Sequence, residues 1–215
     1  MTEILTPAQR KLLSAIGRSP IRDDFYLTGG MALSEFHLRH RRSSHLGFST
    51  EDPLAVIRVG LQMSTLAAQL NATIRFGRSL RSFLQCWVRL EDGHEILVDF
   101  AHVTTGRLKP VTADPENGVC VDSLADMAAN RFSALCDRSD GKDFVDVFFL
   151  HREYRPLTDL VGLCRRKHPG ADHYGIAGAF RRVAEISSWP TMVRPLDHGE
   201  LKAFFLAEAA KRIGR

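Results

Sequence analysis

A short apolar run that ends in two consecutive glycines is the feature that most restricts the fold of this chain. Residues 25–28, Phe-Tyr-Leu-Thr, have the composition of a β-strand, and Gly29-Gly30 separates them from a helix-like stretch at 31–40. A strand that passes through glycines into a helix places backbone N–H groups at a helix N-terminus. These groups and the helix dipole attract anions, and glycine lets a ligand come close to the backbone. The pattern predicts a phosphate-binding corner at Thr28, Gly29 and Gly30, although on its own it is also typical of a simple tight turn.

The rest of the chain separates into a mixed first part and a helical second part. Residues 91–94, Glu-Asp-Gly-His, stand between two alternating segments, and an Asp-Gly pair in that position indicates a β-hairpin. Residues 104–118 show no apolar rhythm and are predicted as a loop. Helices are predicted at 6–17, 31–40, 53–70, 121–137, 143–153, 157–167, 174–187 and 198–213, and strands at 25–28, 45–48, 73–76, 82–90 and 95–102. We therefore expect an α/β (α+β) fold, with a mixed sheet and its helices in a domain at 1–118 and a helical domain at 119–215.

The composition is that of an ordinary globular protein, and it excludes several functional classes. The chain has 215 residues and a formal net charge of +4, which is compatible with nucleotide or nucleic-acid partners but does not require them. No two of the four cysteines form a CxxC pair, so neither a zinc site nor a redox motif is visible. No apolar run approaches the ~18 residues of a membrane span, and the sequence shows no secretory signal. We expect a cytoplasmic protein with free thiols and no membrane partner.

Two separated sequence blocks resemble one protein family. Residues 25–48 read FYLTGGMALSEFHLRHRRSSHLGF, which is similar to the pattern YLTGGTALxxxxLxHRxSxDLDFF of the AbiEii/AbiGii toxin nucleotidyltransferases. The block that starts at Asp126 and continues through Arg138, Asp143 and Asp146 resembles that family's helical signature DLAAxKxxALxxRxxxRDxxDLYxL. With the strand that carries Asp99, the resemblance covers residues 20–150. Two blocks in the right order are a specific signal.

The resemblance implies a nucleotidyltransferase fold and a toxin that moves a nucleotide from an NTP to an RNA or protein acceptor. It implies phosphate contacts from Thr28, Gly29, Gly30 and Arg131, the last in place of the family's lysine. Mg²⁺ is the expected cofactor, and a cognate antitoxin is an expected protein partner. Asp143 and Asp146 lie on one helix face and belong to the helical signature, but capping or pairing with Arg138 is favoured for them over direct catalysis.

The chemistry of the family needs carboxylates that this sequence lacks. Nucleotidyl transfer uses two divalent metals, and two aspartates at i and i+2 of a strand point to the same face to bind them. The family's Asp-Leu-Asp aligns with His45-Leu46-Gly47, so one ligand is an imidazole and the other has no side chain. Asp99 remains as the third carboxylate and as the one catalytic residue that the resemblance supplies. Imidazole favours softer metals than Mg²⁺, so metal binding by His45 is doubtful and we expect impaired transfer.

Several alternatives stay open at this point. Glu51 and Asp52 follow the degenerate motif and are candidates to replace the lost ligands, or they simply favour the start of the next helix. The basic run at 39–42 is typical of a solvated turn, but it also suits a phosphate contact. The sequence is compatible with three interpretations. The chain is an impaired nucleotidyltransferase, a pseudoenzyme that binds nucleotide, nucleic acid or protein without turnover, or an unrelated mixed α/β domain.

Overall fold

A computed structural model describes residues 3–169 and 173–213 of the chain. The described chain divides into compact units: the first contains the residues up to His37 together with Ser43–Ser123, and the second contains Leu38–Arg42 together with the residues from Leu124 onward. A short segment of the first half therefore belongs, by its contacts, to the helical second unit. The domain boundary proposed at 118 falls inside a β-hairpin of the first unit.

The first unit is built on one mixed sheet, which has seven strands within the described residues. The strands are β1 (Tyr26–Thr28), β2 (His45–Thr50), β3 (Thr73–Leu80), β4 (Phe83–Arg89), β5 (Glu95–His102), β6 (Thr112–Asp114) and β7 (Val119–Val121). Their order is β3-β4-β5-β2-β1-β7-β6. The β2–β5 and β1–β7 pairs are parallel, and the other neighbours are antiparallel. The mixed α/β class expected from the sequence is confirmed.

The two faces of the central strands differ because apolar and polar residues alternate along them. Leu84, Cys86 and Val88 of β4 are buried, as are Ile96, Val98 and Phe100 of β5 and Leu46 and Phe48 of β2. The residues between them point to the opposite face, which is only half-buried. One face of the sheet is therefore core, and the other is accessible to a ligand.

Four helical segments accompany this sheet. They are α1 (Pro7–Gly17), α2 (Ile21–Asp24), α3 (Gly29–Leu33), which continues as a π-helix over Ser34–Leu38, and α4 (Ala55–Gln69). A reciprocal capping box between Thr6 and Gln9 begins α1. Gly60 of α4 lies against the sheet, since a Cβ there would be 3.6 Å from a methyl carbon of Leu84. The short helix α2 was not predicted.

The segment predicted as a loop and as the start of a helix is instead a β-hairpin. Strands β6 and β7 are three residues each, and the helix expected from Val121 begins only at Leu124. Three residues are too few to show an alternating pattern. The pairing of β7 with β1 joins parts of the chain far apart in sequence, so no local signal reports it.

The second unit is helical, as expected. Its helices are α5 (Leu124–Asp137), α6 (Gly141–Glu153), α7 (Leu157–Lys167), α8 (His173–Arg181) with a 3₁₀ turn at Arg182–Glu185, and α9 (His198–Ile213). The helix predicted to extend to residue 187 thus ends earlier, and its last part is the 3₁₀ turn. Phe144 and Phe180 both pack edge-on against Phe205, and Phe132 packs against Phe180. None of the helices in the described residues is both long and apolar enough to cross a membrane.

Candidate functional site

The Gly29-Gly30 corner is the transition from β1 to α3. Gly29 has a φ of 80°, a backbone conformation that favours glycine, and Gly30 is buried. Thr28 is the N-cap residue, but its side chain does not cap the helix. Its Oγ1 donates a hydrogen bond of 2.8 Å to Oδ2 of the buried Asp122 instead. The start of α3 thus lacks the side-chain acceptor that usually satisfies its first N–H groups.

A row of residues crosses four strands at the end of β1. Thr28 pairs with Gly47 of β2, Gly47 pairs with Asp99 of β5, and Asp99 pairs with Gln85 of β4. Residues paired across strands share a face of the sheet, and neighbouring strands lie about 5 Å apart. The residue before the glycine corner and the predicted carboxylate therefore lie about 10 Å apart, on the accessible face, with Gly47 between them.

Asp99 is the acidic centre of this row. Its side chain is 24% exposed, and its Oδ1 accepts a 3.0 Å hydrogen bond from Nε2 of Gln85. Nε2 of His45 lies 3.9 Å from its Oδ2. The structure therefore brings together His45 and Asp99, which the sequence proposed as residual metal ligands.

This ligand set does not fit a pair of Mg²⁺ ions. Mg²⁺ prefers oxygen ligands in octahedral geometry, and the row supplies one carboxylate that is already bound to an amide. Within residues 3–169 and 173–213, no group of three or more His, Cys, Asp or Glu side chains is arranged to hold a metal. Of the two positions that the resemblance aligns with the family's aspartates, 45 has an imidazole and 47 has no side chain.

Position 47 has room for a side chain. A Cβ built on Gly47 would have one neighbour within 4 Å, the backbone oxygen of Thr28 at 3.6 Å, which is an ordinary van der Waals contact. Its φ lies outside the left-handed region, so the backbone conformation does not require glycine. The absence of a carboxylate at this position is therefore a property of the sequence and not a constraint of the fold.

Glu51 and Asp52, the proposed replacements, are engaged elsewhere. Both oxygens of Glu51 accept hydrogen bonds of 3.1 Å from Arg107. Asp52 accepts from the backbone N–H of Leu54 at 2.8 Å and from Arg58 at 2.6 Å. The hydrogen bond from Leu54 lowers the pKa of Asp52 most, and that from Arg58 lowers it further. In this structure both carboxylates are bound to other residues and do not replace the ligands absent at positions 45 and 47.

The second unit contains a buried cluster of charged residues that joins α5, α6 and the segment Leu38–Arg42. Asp146 accepts hydrogen bonds from Nε (2.6 Å) and Nη2 (2.7 Å) of Arg41 and lies 2.8 Å from Nε2 of His40. Asp143 is bound by both Nε and Nη2 of Arg138 at 2.7 Å. Arg131 lies between the two acids, 3.4 Å from Asp143 and 3.5 Å from Asp146.

Opposite charges decide the protonation state of this cluster. Burial would raise the pKa of Asp146, but the charge of Arg41 and hydrogen bonds from Arg41 and His40 hold that pKa well below its usual range. Burial lowers the pKa of Arg131, and the charge of Asp146 opposes that shift. Arginine nevertheless stays protonated in proteins, so the cluster contains three guanidinium groups against two carboxylates.

The predicted site residues therefore fall into two groups. Thr28, Gly29, Gly30, His45, Gly47 and Asp99 are residues of the first unit, and Arg131, Asp143 and Asp146 are residues of the second. The suggested pairing of Asp143 with Arg138 is confirmed. The expectation of a solvated turn at 39–42 is wrong for His40 and Arg41, which are buried against Asp146.

Sequence reasoning missed Gln85 as the partner of Asp99, although a signal existed. The predicted hairpin at 91–94 fixes the register of the strands that it joins, and that register places Gln85 opposite Asp99. The contact between Asp122 and Thr28 had no comparable signal, because it depends on the unpredicted strand β7.

Comparison with known proteins agrees with this architecture. The family model described as nucleotidyl transferase AbiEii toxin of type IV toxin–antitoxin systems matches residues 11–211. An uncharacterized protein of Aquifex aeolicus, aq_aa25, is 28% identical over 171 residues, which cover 78% of each chain.

Solved structures share the fold at low sequence identity. JHP933 from Helicobacter pylori superposes with a TM-score of 0.62 and 15% identity, over 94% of this chain and 88% of that one. A putative nucleotidyltransferase from H. pylori gives 0.59 and 14%, with 97% and 96% covered. MenT4, the nucleotidyltransferase toxin Rv2826c from Mycobacterium tuberculosis, gives 0.56 and 13%, with 97% and 82% covered.

Proposed function

Because the chain belongs to the AbiEii family of nucleotidyltransferase toxins, we propose that it binds NTP phosphates at the Gly29-Gly30 corner while its Mg²⁺-dependent transfer is impaired. The observation that carries the proposal is the pairing of Asp99 with Gly47. On the sheet face where the family's metal ligands are expected, Asp99 lies opposite Gly47, which has no side chain.

The geometry of the corner supports phosphate binding. The first N–H groups of α3 have no side-chain cap from Thr28, and the helix dipole adds partial positive charge at the same place. The positive φ of Gly29 directs the chain sharply into the helix. Along the chain Glu35 is the first acidic residue after Asp24, and the carboxylate that contacts the corner, Asp122, is bound by Thr28.

The chemistry of the remaining residues supports impairment. When bound, Mg²⁺ would stabilise the in-line displacement at the phosphate. Asp99 with His45 and Gln85 does not form the oxygen-rich ligand set that this ion needs. What these residues do supply is one negative charge and an amide that orients it. Both carboxylates of the family's Asp-Leu-Asp motif are absent, because His45 and Gly47 stand in their places.

Arg131 remains a proposed phosphate contact by family resemblance. Its side chain is only 13% exposed and lies near Asp143 and Asp146. Asp140 also interacts with Arg41 and Arg138, so the proposed phosphate contact of Arg131 rests on the family resemblance. The family also supports an antitoxin as protein partner and an RNA or protein acceptor, which we include in the proposal.

Introducing a negative charge at position 29 of the corner tests the NTP site. Asp and Asn both tolerate positive φ and have the same shape, so Gly29→Asp and Gly29→Asn form a matched pair. We expect Gly29→Asp to weaken ATP or GTP binding about tenfold or more by calorimetry, and Gly29→Asn to weaken it much less. Equal affinities for the two variants, or no NTP binding by the wild type, would contradict the proposal.

A pseudoenzyme that binds nucleotide without any turnover is the second candidate. The residues around Asp99 favour it, because one carboxylate in the row cannot hold two Mg²⁺ ions. The two candidates share the NTP site and differ only in residual transfer, which a labelling assay measures directly.

A further inference from the structure

The positive charge of this protein is concentrated in one segment. Residues 53–90 contain five arginines, no lysine and no acidic residue. The remainder of the chain then has 24 Lys and Arg against 25 Asp and Glu, which is close to neutral. A net charge of +4 that looks weak over the whole chain is therefore strong locally, which is typical of a surface that binds a polyanion.

The structure places most of these arginines on the hairpin formed by β3 and β4. Arg75 and Arg78 lie on β3, Arg81 lies in the turn, and Arg89 ends β4, and all of them are exposed. Glu95 pairs with Arg89 at 3.4 Å and with Arg75 at 3.8 Å. In the part of the chain that the structure describes, no carboxylate lies within ion-pair distance of Arg78 or Arg81.

Two of the arginines cover aromatic rings. The guanidinium carbon of Arg75 lies 4.0 Å from the ring centre of Trp87, and that of Arg78 lies 5.7 Å from the ring centre of Phe83. Gly77 makes room for the indole, because a Cβ there would be 2.3 Å from a ring carbon of Trp87. Stacked guanidinium and aromatic planes are surfaces on which unpaired bases stack.

These aromatic residues flank the row of residues that contains Asp99 and Gln85. Phe83, Gln85 and Trp87 alternate along β4 and so share the face on which Gln85 contacts Asp99. Each ring is two residues, or about 7 Å along the strand, from Gln85. The row around Asp99 thus lies between two arginine-covered rings of the same sheet face.

We propose that Arg75, Arg78, Phe83 and Trp87 form a basic aromatic face that binds single-stranded nucleic acid. The arginines contact phosphates and the planar groups stack with bases, as in other binding sites for single strands. A protein strand that extends the sheet at β3 is disfavoured. Charged side chains and the register shift between Phe76 and Ser79 are features that protect a sheet edge from such pairing.

Fluorescence anisotropy with a labelled oligouridine of about 20 nucleotides tests this face, with the full chain and without NTP. The double variant Arg75→Glu/Arg78→Glu is compared with Arg152→Glu/Arg155→Glu, which makes the same change in net charge at exposed arginines of the second unit. We expect the first pair to weaken binding about tenfold or more and to flatten its salt dependence, and the control to change it less than about threefold. Because NTP is absent, the result is independent of nucleotide binding at Gly29-Gly30.

Further variants keep the test decisive. Arg75→Gln/Arg78→Gln should also weaken binding, and Trp87→Leu should weaken it about tenfold for single strands, with folding of each variant verified by thermal melting. Equal losses in the two Glu pairs would overturn the proposal. So would a Trp87→Leu variant with wild-type affinity, duplex binding as tight as single-strand binding, or displacement of the oligonucleotide by polyglutamate at an equal charge concentration.

Discussion

Asp146 illustrates how single residues stabilise the helical unit. Its carboxylate is fully buried and is bound on both oxygens by Arg41, with His40 as a further partner. Such a group is costly to bury, and its partners offset that cost only while the geometry is intact. The same contacts hold the segment Leu38–Arg42, which precedes β2, in the second unit.

Removing this charge should destabilise the protein strongly. Asp146→Asn leaves the buried guanidinium of Arg41 without a counter-ion, so the free energy of unfolding should fall by about 3–5 kcal/mol in urea denaturation. Asp143→Asn is the comparison, and its effect should be smaller because its closest partner, Arg138, is half-exposed and the buried Arg131 still has Asp146 beside it. Equal effects of the two substitutions would show that burial of the arginine partner is not the cause.

The lowered pKa of Asp146 also predicts a pH dependence. A carboxylate whose pKa is lower in the folded state stabilises that state above its unfolded pKa near 3.9, and this stability is lost as pH falls below that value. The free energy of unfolding of the wild type should therefore decrease mainly as pH falls below about 4. Asp146→Asn should show a shallower decrease, and an identical pH profile for both proteins would be inconsistent with the assigned contacts.

This cluster was only partly predictable from the sequence. Asp143 and Arg138 are only five residues apart, on either side of the start of α6, and their pairing was suggested by that proximity in the chain. His40 and Arg41 lie in a run of four basic residues, which ordinarily indicates exposure. Arg41 is buried because its partner Asp146 is 105 residues away, and local patterns carry no information about such a contact.

At the scale of elements, two glycines on the accessible face of the sheet have opposite roles. Gly47 has space for a Cβ, whereas Gly77 lies beneath the indole of Trp87. Gly47→Ala should raise the free energy of unfolding by about 0.4–1 kcal/mol, because it restricts the unfolded chain without a clash. Gly77→Ala should lower it by about 1–3 kcal/mol by displacing the ring, so thermal melting that ranks the two variants in the reverse order would contradict the geometry.

The sheet was predictable where its strands are long and locally connected. The alternation of β4 and β5 and the Asp92-Gly93 turn defined that hairpin, and its register gives the position of Gln85 beside Asp99. Strands β6 and β7 escaped prediction because three residues contain no period and their pairing is non-local. The π-helix at Ser34–Leu38 differs from an α-helix by its hydrogen bonds, which composition does not report.

At the scale of the whole molecule, membership of the family determines the fold but not the activity. A mixed sheet and a helical unit are shared with proteins at 13–15% identity, so the architecture survives almost complete replacement of side chains. The resemblance aligns His45 and Gly47 with two carboxylates on which, in our proposal, activity depends. The fold has space for a side chain at position 47, so substitution there can test the proposed impairment.

Transfer of label from α-³²P NTPs in Mg²⁺ or Mn²⁺, to RNA or to the protein itself, tests this account most directly. We expect little labelling by the wild type and a gain of labelling in the double variant His45→Asp/Gly47→Asp, with Gly47→Ala as the inert control for the change in volume. Efficient labelling by the wild type that disappears in Asp99→Asn would show that the present residues suffice for transfer, and would contradict the central claim.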